Sequence, residues 1–472
     1  MNRPLTYRSS GVDISQNLDA NDGASSLIPS TFNSRVVTKP GLFAGVLDLG
    51  DLTEDRPFLN ASIGFYNQSQ EVPSSMVDEA ISRCLEKIPG NHLPLGMLDY
   101  LASFPLDALR IKSVLQSICK NLSNRSPVIP LVGGETAEMP GVFVEDQLEL
   151  TTTLFSLSDK PMDSSLDLRT VLEGFQEPCV ALSMDGVGTK SRLLHDYSRF
   201  PSALSDILNH SLGDLLCLGA RGVGITLYVG CHTPTDQVQA LKTHARHLIF
   251  SQGLEIFDFV IHEAPDRYLP GQVDLVGSVA GVVEKSKILT GDRVCEGDIV
   301  VGLSSDGLHT NGYSLVNKLM ERLNNHDIPQ WVIEGLLAPH KNYLPMVYPL
   351  LEDASRVHGI AHITGGGLRE NLVRIIPEGL GVELDLRSIE IPELFQWIQD
   401  EGSVPFTDLK EKGMLETFNM GVGLILVLDP ASLDYVTNAL KKLGEEIFIL
   451  GHVEKSGGRL SHERIHCITR SS

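Results

Sequence analysis

The sequence lacks the features of a membrane or secreted protein. None of its apolar runs approaches the ~20 residues that span a bilayer. Its first residues, MNRPLTY, do not contain the apolar core of a secretory signal. Its seven cysteines are odd in number and no two form a C-x-x-C pair, which argues against a disulfide framework and a structural zinc site. We therefore expect a cytoplasmic protein that does not contact a membrane.

Basic residues are also scarce. The chain has 38 Lys and Arg against 60 Asp and Glu, which gives a net charge of −22 at pH 7. Such a surface repels nucleic acid, so we expect no nucleic-acid partner. A polyanionic substrate binds it only where backbone amides, a lysine or a metal ion reverse the local field. Hydrophobic residues make up 42% of the 472 residues, which is enough for two or three domains with ordinary cores.

An internal repeat runs through the first part of the chain. Acidic pairs, the tyrosines that follow them and a later pair of acids recur at an offset of 128: Asp78 and Glu86 with Asp206 and Asp214, Tyr100 with Tyr228, and Glu135 and Glu138 with Glu263 and Asp266. The runs that end at Lys160 and Lys285 match at an offset of 125. We interpret this as two copies of one mixed α and β domain, roughly residues 35–160 and 175–290. A single-copy α/β domain follows from Gly297.

The sharpest local motif is DGVGTK at residues 185–190, which follows an apolar run. Its two glycines let the backbone approach a phosphate, its threonine and lysine add a hydroxyl and a positive charge, and its aspartate suits Mg²⁺. The spacing is not that of a Walker A loop. A tight turn with a surface lysine is the simpler reading of this segment alone.

A second motif, GGETAEMPG at residues 133–141, also follows an apolar run. It places two carboxylates and a hydroxyl in what we expect to be a loop, whose glycines leave amides free to face a ligand. A solvated acidic turn is the alternative for this segment alone.

Two loops of the C-terminal part suit a sugar phosphate. Residues 304–314, SSDGLHTNGYS, offer hydroxyls, amides and one imidazole. His309 is a candidate general acid or base because the pKa of histidine lies near neutrality, although a structural histidine at a helix start is more common. Residues 361–368, AHITGGGL, place three glycines before a predicted helix, which forms an anion site.

Together these segments resemble the aminoimidazole ribonucleotide synthetases, also called phosphoribosylformylglycinamidine cyclo-ligases. The resemblance covers most of the chain, and the motifs that carry it are YRSSGVDI (7–14), GLFAGVLDL (41–49), DGVGTK, GGETAEMPG, GVVEK (281–285), GLHTNGYSL (307–315), AHITGGGL and TFNMG (417–421). The resemblance implies an enzyme that phosphorylates a formamide oxygen with ATP. An amidine nitrogen then attacks and closes an imidazole ring, with release of ADP and phosphate. It also implies an N-terminal domain that pairs across a dimer, with nucleotide at the seam.

The resemblance and the residue chemistry together predict the site. ATP and Mg²⁺ are the expected cofactors, and formylglycinamidine ribonucleotide is the expected substrate. The predicted Mg²⁺ ligands are Asp185, Asp214 and Glu135, and the predicted catalytic residues are His309, Lys190 and Asp185. The predicted ATP-binding residues are Asp185, Gly186, Gly188, Thr189, Lys190, Gly133, Gly134, Glu135 and Thr136. The predicted substrate-binding residues are Ser305, His309, Asn311, Thr364, Gly365 and Gly366.

The chain departs from the family pattern because its two copies divide the motifs. The first copy keeps GGETAEMPG, but at the DGVGTK position it reads IGFYNQ, with Ile63 in place of the aspartate and Gln68 in place of the lysine. The second copy keeps DGVGTK but reads IHEAPD (261–266) in place of GGETAE, and it has Gly213 where an Asn usually precedes the Asp. The family's Pro-Thr-Arg before a tyrosine is Pro-His-Lys here, at residues 339–341.

We therefore predict an α+β protein in which two copies of the family's N-terminal domain form an internal pseudo-dimer, followed by one C-terminal α/β domain. The predicted bounds are 1–160, 161–290 and 291–472. One complete site forms where DGVGTK of the second copy faces GGETAEMPG of the first, and the opposite seam is decayed or keeps a structural nucleotide. The protein is a monomer or a homodimer. The alternatives are another ATP-dependent phosphoryl-transfer enzyme of the same superfamily and a nucleotide-binding pseudoenzyme.

Overall fold

The computed structural model describes residues 4–12, 26–67, 73–88, 91–323, 328–458 and 463–469. Gln68, Asp13 and Ile14 of the motifs above lie outside these residues. The chain divides into two compact units. The N-terminal unit comprises Gly11–Leu215 and Ala220–Ser286, and the C-terminal unit comprises Met1–Ser10, Leu216–Gly219 and Lys287–Ser472. None of the described helices has the length and apolar character of a transmembrane span.

The first 286 residues carry ten described strands and six described helices. The strands are β1 (Gly45–Asp48), β2 (Phe58–Phe65), β3 (Leu93–Phe104), β4 (Leu131–Glu138), β5 (Gln147–Ser158), β6 (Leu166–Asp167), β7 (Pro178–Gly186), β8 (Arg221–Cys231), β9 (Glu255–Glu263) and β10 (Val273–Glu284). The helices are α1 (Leu52–Asp55), α2 (Pro73–Glu86), α3 (Ala108–Ser123), α4 (Lys190–Asp196), α5 (Ala203–Cys217) and α6 (Asp236–Ser251).

These strands form two five-stranded sheets with the same internal order. The first sheet runs β4-β3-β5-β2-β6 and the second runs β9-β8-β10-β7-β1. In each sheet one pair is parallel, β3 with β4 and β8 with β9, and the other pairs are antiparallel. Each parallel pair carries one register irregularity, at Met97/Leu98 in the first sheet and at Ile225/Thr226 in the second. The fold is therefore mixed α and β, and β2–β5 correspond in order to β7–β10.

Each sheet is completed by a strand from the other half of the sequence. β1 precedes the first set of strands, yet it pairs with β7, with Gly45 opposite Leu182. β6 precedes the second set, yet it pairs with β2, with Phe58 opposite Asp167. The exchange adds an outer strand to each sheet, so that neither β2 nor β7 is left as an unpaired edge. The predicted boundary at residue 160 consequently lies inside one compact unit.

Reciprocal hydrogen bonds join the two sheets. Each contact recurs with the roles of the two halves exchanged, as a local two-fold axis requires. Tyr100 donates its hydroxyl to Asp274 at 2.6 Å, and in the same way Tyr228 donates its hydroxyl to Glu149 at 2.9 Å. Val144 N donates to Arg267 O at 2.7 Å, and Leu269 N donates to Val142 O at 2.9 Å. On the axis, Thr153 Oγ1 lies 2.8 Å from Ser278 Oγ.

One apolar core lies between the sheets and another lies under the first pair of helices. Fully buried residues of both sheets, including Leu98, Phe155, Leu182 and Tyr228, form the first core. The second core packs α2 and α3 against the first sheet. Apolar residues recur every three to four positions along α3, so one stripe of the helix faces this core. The helix begins after Asp107, whose carboxylate caps it by accepting two backbone N–H groups.

The C-terminal unit contains one six-stranded sheet in the order β12-β14-β11-β15-β13-β16, antiparallel except for β13 with β16. Its described strands are β11 (Ile299–Ser304), β12 (Val357–His362), β13 (Leu380–Asp385), β14 (Val422–Leu428), β15 (Ile447–Lys455) and β16 (Ile465–Ile468). Its described helices are α7 (Tyr313–Arg322), α8 (Gln330–Leu337), α9 (Leu344–Val347), α10 (Gly367–Leu372), α11 (Glu393–Gly402), α12 (Met414–Thr417) and α13 (Leu433–Lys442). Leu5 N donates to Gly402 O at 2.9 Å, so the first described residues belong to this unit.

Three details of the sequence interpretation are corrected by the strand register. The segment that holds GGETAE is strand β4 rather than a loop. Asp185 lies opposite Gly277 and Gly64 opposite Thr152, so Gly64, not Ile63, occupies the position equivalent to Asp185. Glu135 lies opposite Tyr100 and Val260 opposite Tyr228, so the equivalent of Glu135 is Val260, not Glu263. The offset between the copies falls from 128 to 125 before β4, which residue matching alone did not detect.

A buried carboxyl in β3 makes the stability of the N-terminal unit pH-dependent. Asp99 is 3% exposed, and burial raises its pKa from 3.8 to about 7. The folded state therefore binds this proton more tightly than the unfolded state, so stability decreases as pH rises from about 4 to 7. We expect Asp99→Asn to stabilise the unit by roughly 4 kcal/mol at pH 8 and by less than half of that at pH 5. Thermal unfolding of the unaltered protein and of Asp99→Asn at both pH values measures this difference in stability. Exposed Asp55→Asn is the control, and equal shifts at both pH values would contradict the assignment.

Candidate nucleotide and substrate sites

The DGVGTK motif forms a turn between a strand and a helix. β7 ends at Gly186 and α4 begins at Lys190. Gly188 has φ +66°, a left-handed conformation that favours glycine, and a Cβ built there meets no atom within 4 Å. Gly186 lies against the first sheet, because a Cβ on it would be 3.1 Å from the ring of Tyr100. The turn is therefore open at Gly188 and closely packed at Gly186.

Two of the predicted metal ligands converge on a buried imidazole. His210 Nε2 lies 3.1 Å from Asp185 Oδ2 and 3.9 Å from Asp214 Oδ2. His210 and Asp214 are four residues apart on α5, so they share one face of the helix. Ser183 donates its hydroxyl to Asp214 at 3.2 Å, which orients that carboxylate. Asp185 and Asp214 thus lie together, as predicted.

Glu135 joins this cluster from the first sheet. It lies beside Tyr100 in the register of β3 and β4, and the ring of Tyr100 packs on Gly186. Burial alone would lower the pKa of His210, but the charge and hydrogen bond of Asp185 and the charges of Asp214 and Glu135 raise it to about 9. The imidazole is therefore a cation at neutral pH. At the far end of GGETAEMPG, a Cβ on Gly141 would lie 2.7 Å from Arg192 of α4, the helix that follows DGVGTK. The two motif segments are therefore in contact at this end as well.

The donor set fits the implied Mg²⁺. The charges of three carboxylates, Asp185, Asp214 and Glu135, act on one position, where they raise the pKa of His210, so the local field favours a cation. Carboxylate oxygens are the ligands that Mg²⁺ prefers, with phosphate oxygens completing its shell. Asp185, Asp214 and Glu135 are the residues that could hold the ion, next to the open turn at Gly188 and to Thr189, which precedes α4.

Lys190 has a different environment from the one predicted. Its side chain is fully buried, and Nζ lies 2.7 Å from Asp206 Oδ1 of α5. Burial lowers the pKa of Lys190, and the charge and hydrogen bond of Asp206 oppose that shift. The contact holds α4 to α5 and thereby fixes the turn. Phosphate binding by Lys190 stays a prediction.

The first two glycines of GGETAEMPG allow strand β4 to pack closely on strand β3. A Cβ on Gly134 would overlap the carboxylate of Asp99, and one on Gly133 would lie 3.3 Å from Leu98. Thr136 is half-buried in the same strand. These glycines therefore let β4 pack closely on β3, which places Glu135 beside Tyr100. Their predicted contact with nucleotide stays a prediction.

The opposite seam, between the ends of β2 and β9, is built differently. The ring of Phe65 lies 4.3 Å from that of His262, and the guanidinium of Arg83 lies 4.6 Å above Phe65. Burial, with the charges of Arg267 and Arg83, lowers the pKa of His262 to about 3, so this imidazole is neutral. His262 contacts Tyr228 OH at 2.6 Å and Asn67 Oδ1 at 3.1 Å.

The positions equivalent to Asp185 and Glu135 at that seam are Gly64 and Val260, so two of the three carboxylates are missing. A Cβ on Gly64 would overlap the carbonyl of Ala80 in α2, which closes the space from the helix side. Lys87 bonds to Asp258 at 2.7 Å and to Ile63 O at 3.0 Å, which covers the seam further. Aromatic and ion-pair packing thus occupies the place where the other seam has its carboxylates.

In the C-terminal unit the predicted substrate loops meet. Gly365 lies beside Asn311, because a Cβ on Gly365 would be 3.5 Å from Asn311 Oδ1. The Nδ2 atom of Asn311 is buried and has no hydrogen-bond partner among the described residues, as expected of a donor that faces a ligand. Ser305 Oγ donates to Asn419 Oδ1 at 3.0 Å, which brings in the TFNMG segment.

The glycine segment is held by a residue that the sequence prediction omitted. Asn371 of α10 donates to the carbonyls of Thr364, Gly365 and Gly367 at 3.2, 3.1 and 2.8 Å. Thr364 donates its hydroxyl back to Asn371 Oδ1 at 3.2 Å. Gly366 precedes the helix with φ +91°. Asn371 therefore fixes the loop, and its spacing of four residues after Gly367 is the signal that could have found it.

Comparisons with known proteins identify the family. Residues 296–462 match the model of the AIR synthase related protein, C-terminal domain. The phosphoribosylformylglycinamidine cyclo-ligase of Chromobacterium violaceum is 34% identical over 295 residues, which cover 60% of this chain and 83% of that protein. The chain belongs to the phosphoribosylformylglycinamidine cyclo-ligase family. The protein of that name from Oceanobacillus iheyensis is 33% identical over 289 residues, with 60% and 84% coverage.

Among solved structures, HypE of E. coli matches this chain with a TM-score of 0.47 and 15% identity, over 66% of this chain and 88% of that one. Thiamine-monophosphate kinase of Stenotrophomonas maltophilia matches with a TM-score of 0.43 and 13% identity, over 65% and 89%. The structure adds His210 and Asn371 to the site residues expected from the sequence of this cyclo-ligase family member. His210 gave no motif signal, and only its place four residues before Asp214 on one helix face connects it to the cluster.

Proposed function

We propose that this chain closes the imidazole ring of aminoimidazole ribonucleotide from formylglycinamidine ribonucleotide, with ATP as its second substrate. Relatives named phosphoribosylformylglycinamidine cyclo-ligase, at 33–34% identity, support this reaction. The observation that carries the proposal is the cluster of three carboxylates around the buried His210. A cluster of this kind is required where a metal ion must offset the charge of a phosphoryl group in transfer.

In the N-terminal unit, we assign the Mg²⁺ ligands to Asp185, Asp214 and Glu135. When bound, Mg²⁺ would neutralise charge on the phosphate oxygens. The backbone of the open turn at Gly186 and Gly188, with the hydroxyl of Thr189, would bind phosphate. Lys190 acts on this turn through its buried ion pair with Asp206. Gly133, Gly134 and Thr136 would line the same seam from β4.

In the C-terminal unit, the loops that meet at Asn311 and Gly365 would bind the ribonucleotide. The buried Nδ2 of Asn311 supplies a donor, and Ser305, Thr364 and Gly366 belong to the same loops. His309 would move the proton that the attacking amidine nitrogen releases. Its imidazole is 1% exposed, which keeps solvent from competing for that proton.

We further propose that the two sheets of the N-terminal unit are two copies of one domain, arranged as an internal pseudo-dimer. Their common strand order, their equivalent register irregularities and their reciprocal contacts support this. One seam keeps all three carboxylates, whereas the other has Gly64 and Val260 at two of those positions. The chain therefore carries one nucleotide site and forms it without a second copy of the chain.

The test is a steady-state assay of the purified full chain with ATP and Mg²⁺, with and without formylglycinamidine ribonucleotide. ADP and aminoimidazole ribonucleotide are expected in equal amounts, and ADP release is expected to depend on the ribonucleotide. Chelation of Mg²⁺ should stop both products. ADP release that ignores the ribonucleotide would indicate a different phosphoryl acceptor, as the first alternative holds. Tight ATP binding without turnover would indicate a pseudoenzyme. Either result contradicts the proposed reaction.

A further inference from the structure

Three buried histidines meet in the C-terminal unit. His309 follows β11, His340 follows α8, and His362 ends β12. Their exposed fractions are 1%, 1% and 0%. His340 Nε2 lies 2.8 Å from His362 Nε2, and the rings of His309 and His340 stack with centroids 3.9 Å apart. One nitrogen of each ring lies within 4.8 Å of the other two.

The three rings bring several nitrogen lone pairs close together. A neutral imidazole has one N–H donor and one acceptor nitrogen, so only one proton lies between His340 Nε2 and His362 Nε2. A metal ion accepts a lone pair from each ring at once, which a proton cannot do. Tetrahedral coordination at ~2.0–2.1 Å separates ligand nitrogens by about 3.3 Å, so His340 Nε2 and His362 Nε2, now 2.8 Å apart, need to separate only slightly. The ring of His309, which stacks on that of His340, must rotate to direct its lone pair to the same ion.

The surrounding chain keeps space for these rings. A Cβ on Gly423 would lie 2.5 Å from His309 Cε1 and would overlap the hydroxyl of Tyr343. His309 itself has φ +62°, an uncommon conformation for a residue with a side chain, and this backbone directs its imidazole toward His340. His340 stands where the family pattern has threonine, so the third imidazole is a feature of this chain.

We propose that His309, His340 and His362 bind a divalent transition-metal ion of the Zn²⁺ class. Three imidazole ligands suit Zn²⁺ and also Co²⁺, whereas Mg²⁺ prefers oxygen ligands. The site's ligand set of three imidazoles differs in chemistry from the carboxylate oxygens of the N-terminal unit. A ring nitrogen that binds metal is not available to a proton, so bound Zn²⁺ would lower turnover. This last consequence rests on the proposed function, but the binding itself does not.

The test is a Co²⁺ titration of the chelator-treated full chain in the presence of excess Mg²⁺, which occupies the oxygen-ligand site. One Co²⁺ per chain is expected, with the intense visible bands of a tetrahedral ion, and Zn²⁺ should displace it. His340→Thr is expected to weaken Co²⁺ binding by at least roughly 100-fold. His244→Gln, an exposed histidine on α6, is the matched control and should bind normally.

Another described cluster of possible metal ligands, Cys295, Asp298 and His358, provides a comparison. Cys295→Ser should leave the tetrahedral bands unchanged. If this variant loses them, or if His340→Thr keeps them, the three-histidine assignment is wrong. Anomalous diffraction from a Zn²⁺-soaked crystal of the unaltered chain locates the ion even if His340→Thr does not fold. Absence of stoichiometric binding by the unaltered chain would also overturn the proposal.

Discussion

Asp185→Asn is expected to reduce kcat/KM for ribonucleotide-dependent ADP release by at least roughly 100-fold, which corresponds to about 3 kcal/mol of lost transition-state stabilisation. In the proposed site Asp185 supplies a carboxylate for Mg²⁺, and its Oδ2 also lies 3.1 Å from His210 Nε2. The amide keeps the shape of the side chain but removes its charge. Binding of Mg²⁺ with ADP, measured by calorimetry, should weaken in parallel, which a purely structural role would not cause.

The matched control for this experiment is Glu263→Gln at the opposite seam. Glu263 is an exposed acid at the end of β9, and we expect its loss to leave turnover unchanged. If both seams carried working sites, Asp185→Asn would keep about half of the activity. That outcome would contradict the proposal of a single site, but it would not contradict the proposed cyclo-ligase reaction.

Arg267→Met is expected to destabilise the N-terminal unit by about 3–5 kcal/mol, because it leaves a buried charge without its partner. Arg267 is 1% exposed, and its Nη1 lies 3.0 Å from Glu149 Oε2 and 2.8 Å from Tyr66 O. Its guanidinium also stacks 4.5 Å above the ring of Tyr66. Burial already raises the pKa of Glu149 to about 7, and Arg267 is the main group that opposes this shift.

Urea unfolding of the N-terminal unit, followed at pH 8, measures the loss. The double variant Arg267→Met with Glu149→Gln should recover part of it, because the second change removes the unpaired charge. Arg169→Met, which breaks an exposed pair with Asp167, is the matched control and should change stability by less than about 1 kcal/mol. A double variant as unstable as Arg267→Met alone would show that packing, not charge, accounts for the effect.

Much of the architecture followed from local patterns. The apolar run before DGVGTK is strand β7, and the glycines of AHITGGGL lead into helix α10, as the sequence predicts. The glycine turn after β7 and the family resemblance were also readable, since both depend on residues adjacent in sequence. The matching of the two copies was correct for Tyr100 and Tyr228 but lost register before β4, because a three-residue difference there changes no local pattern.

The sequence by itself determined the family, the mixed α and β class and the presence of two motif-bearing halves. Only the tertiary structure decided that β1 and β6 complete each other's sheets, and that Gly64 and Val260 take the places of Asp185 and Glu135. It alone brought His210 between two carboxylates and gathered His309, His340 and His362. The physical reason is that register and side-chain convergence depend on pairing between segments more than 20 residues apart, which no local propensity encodes.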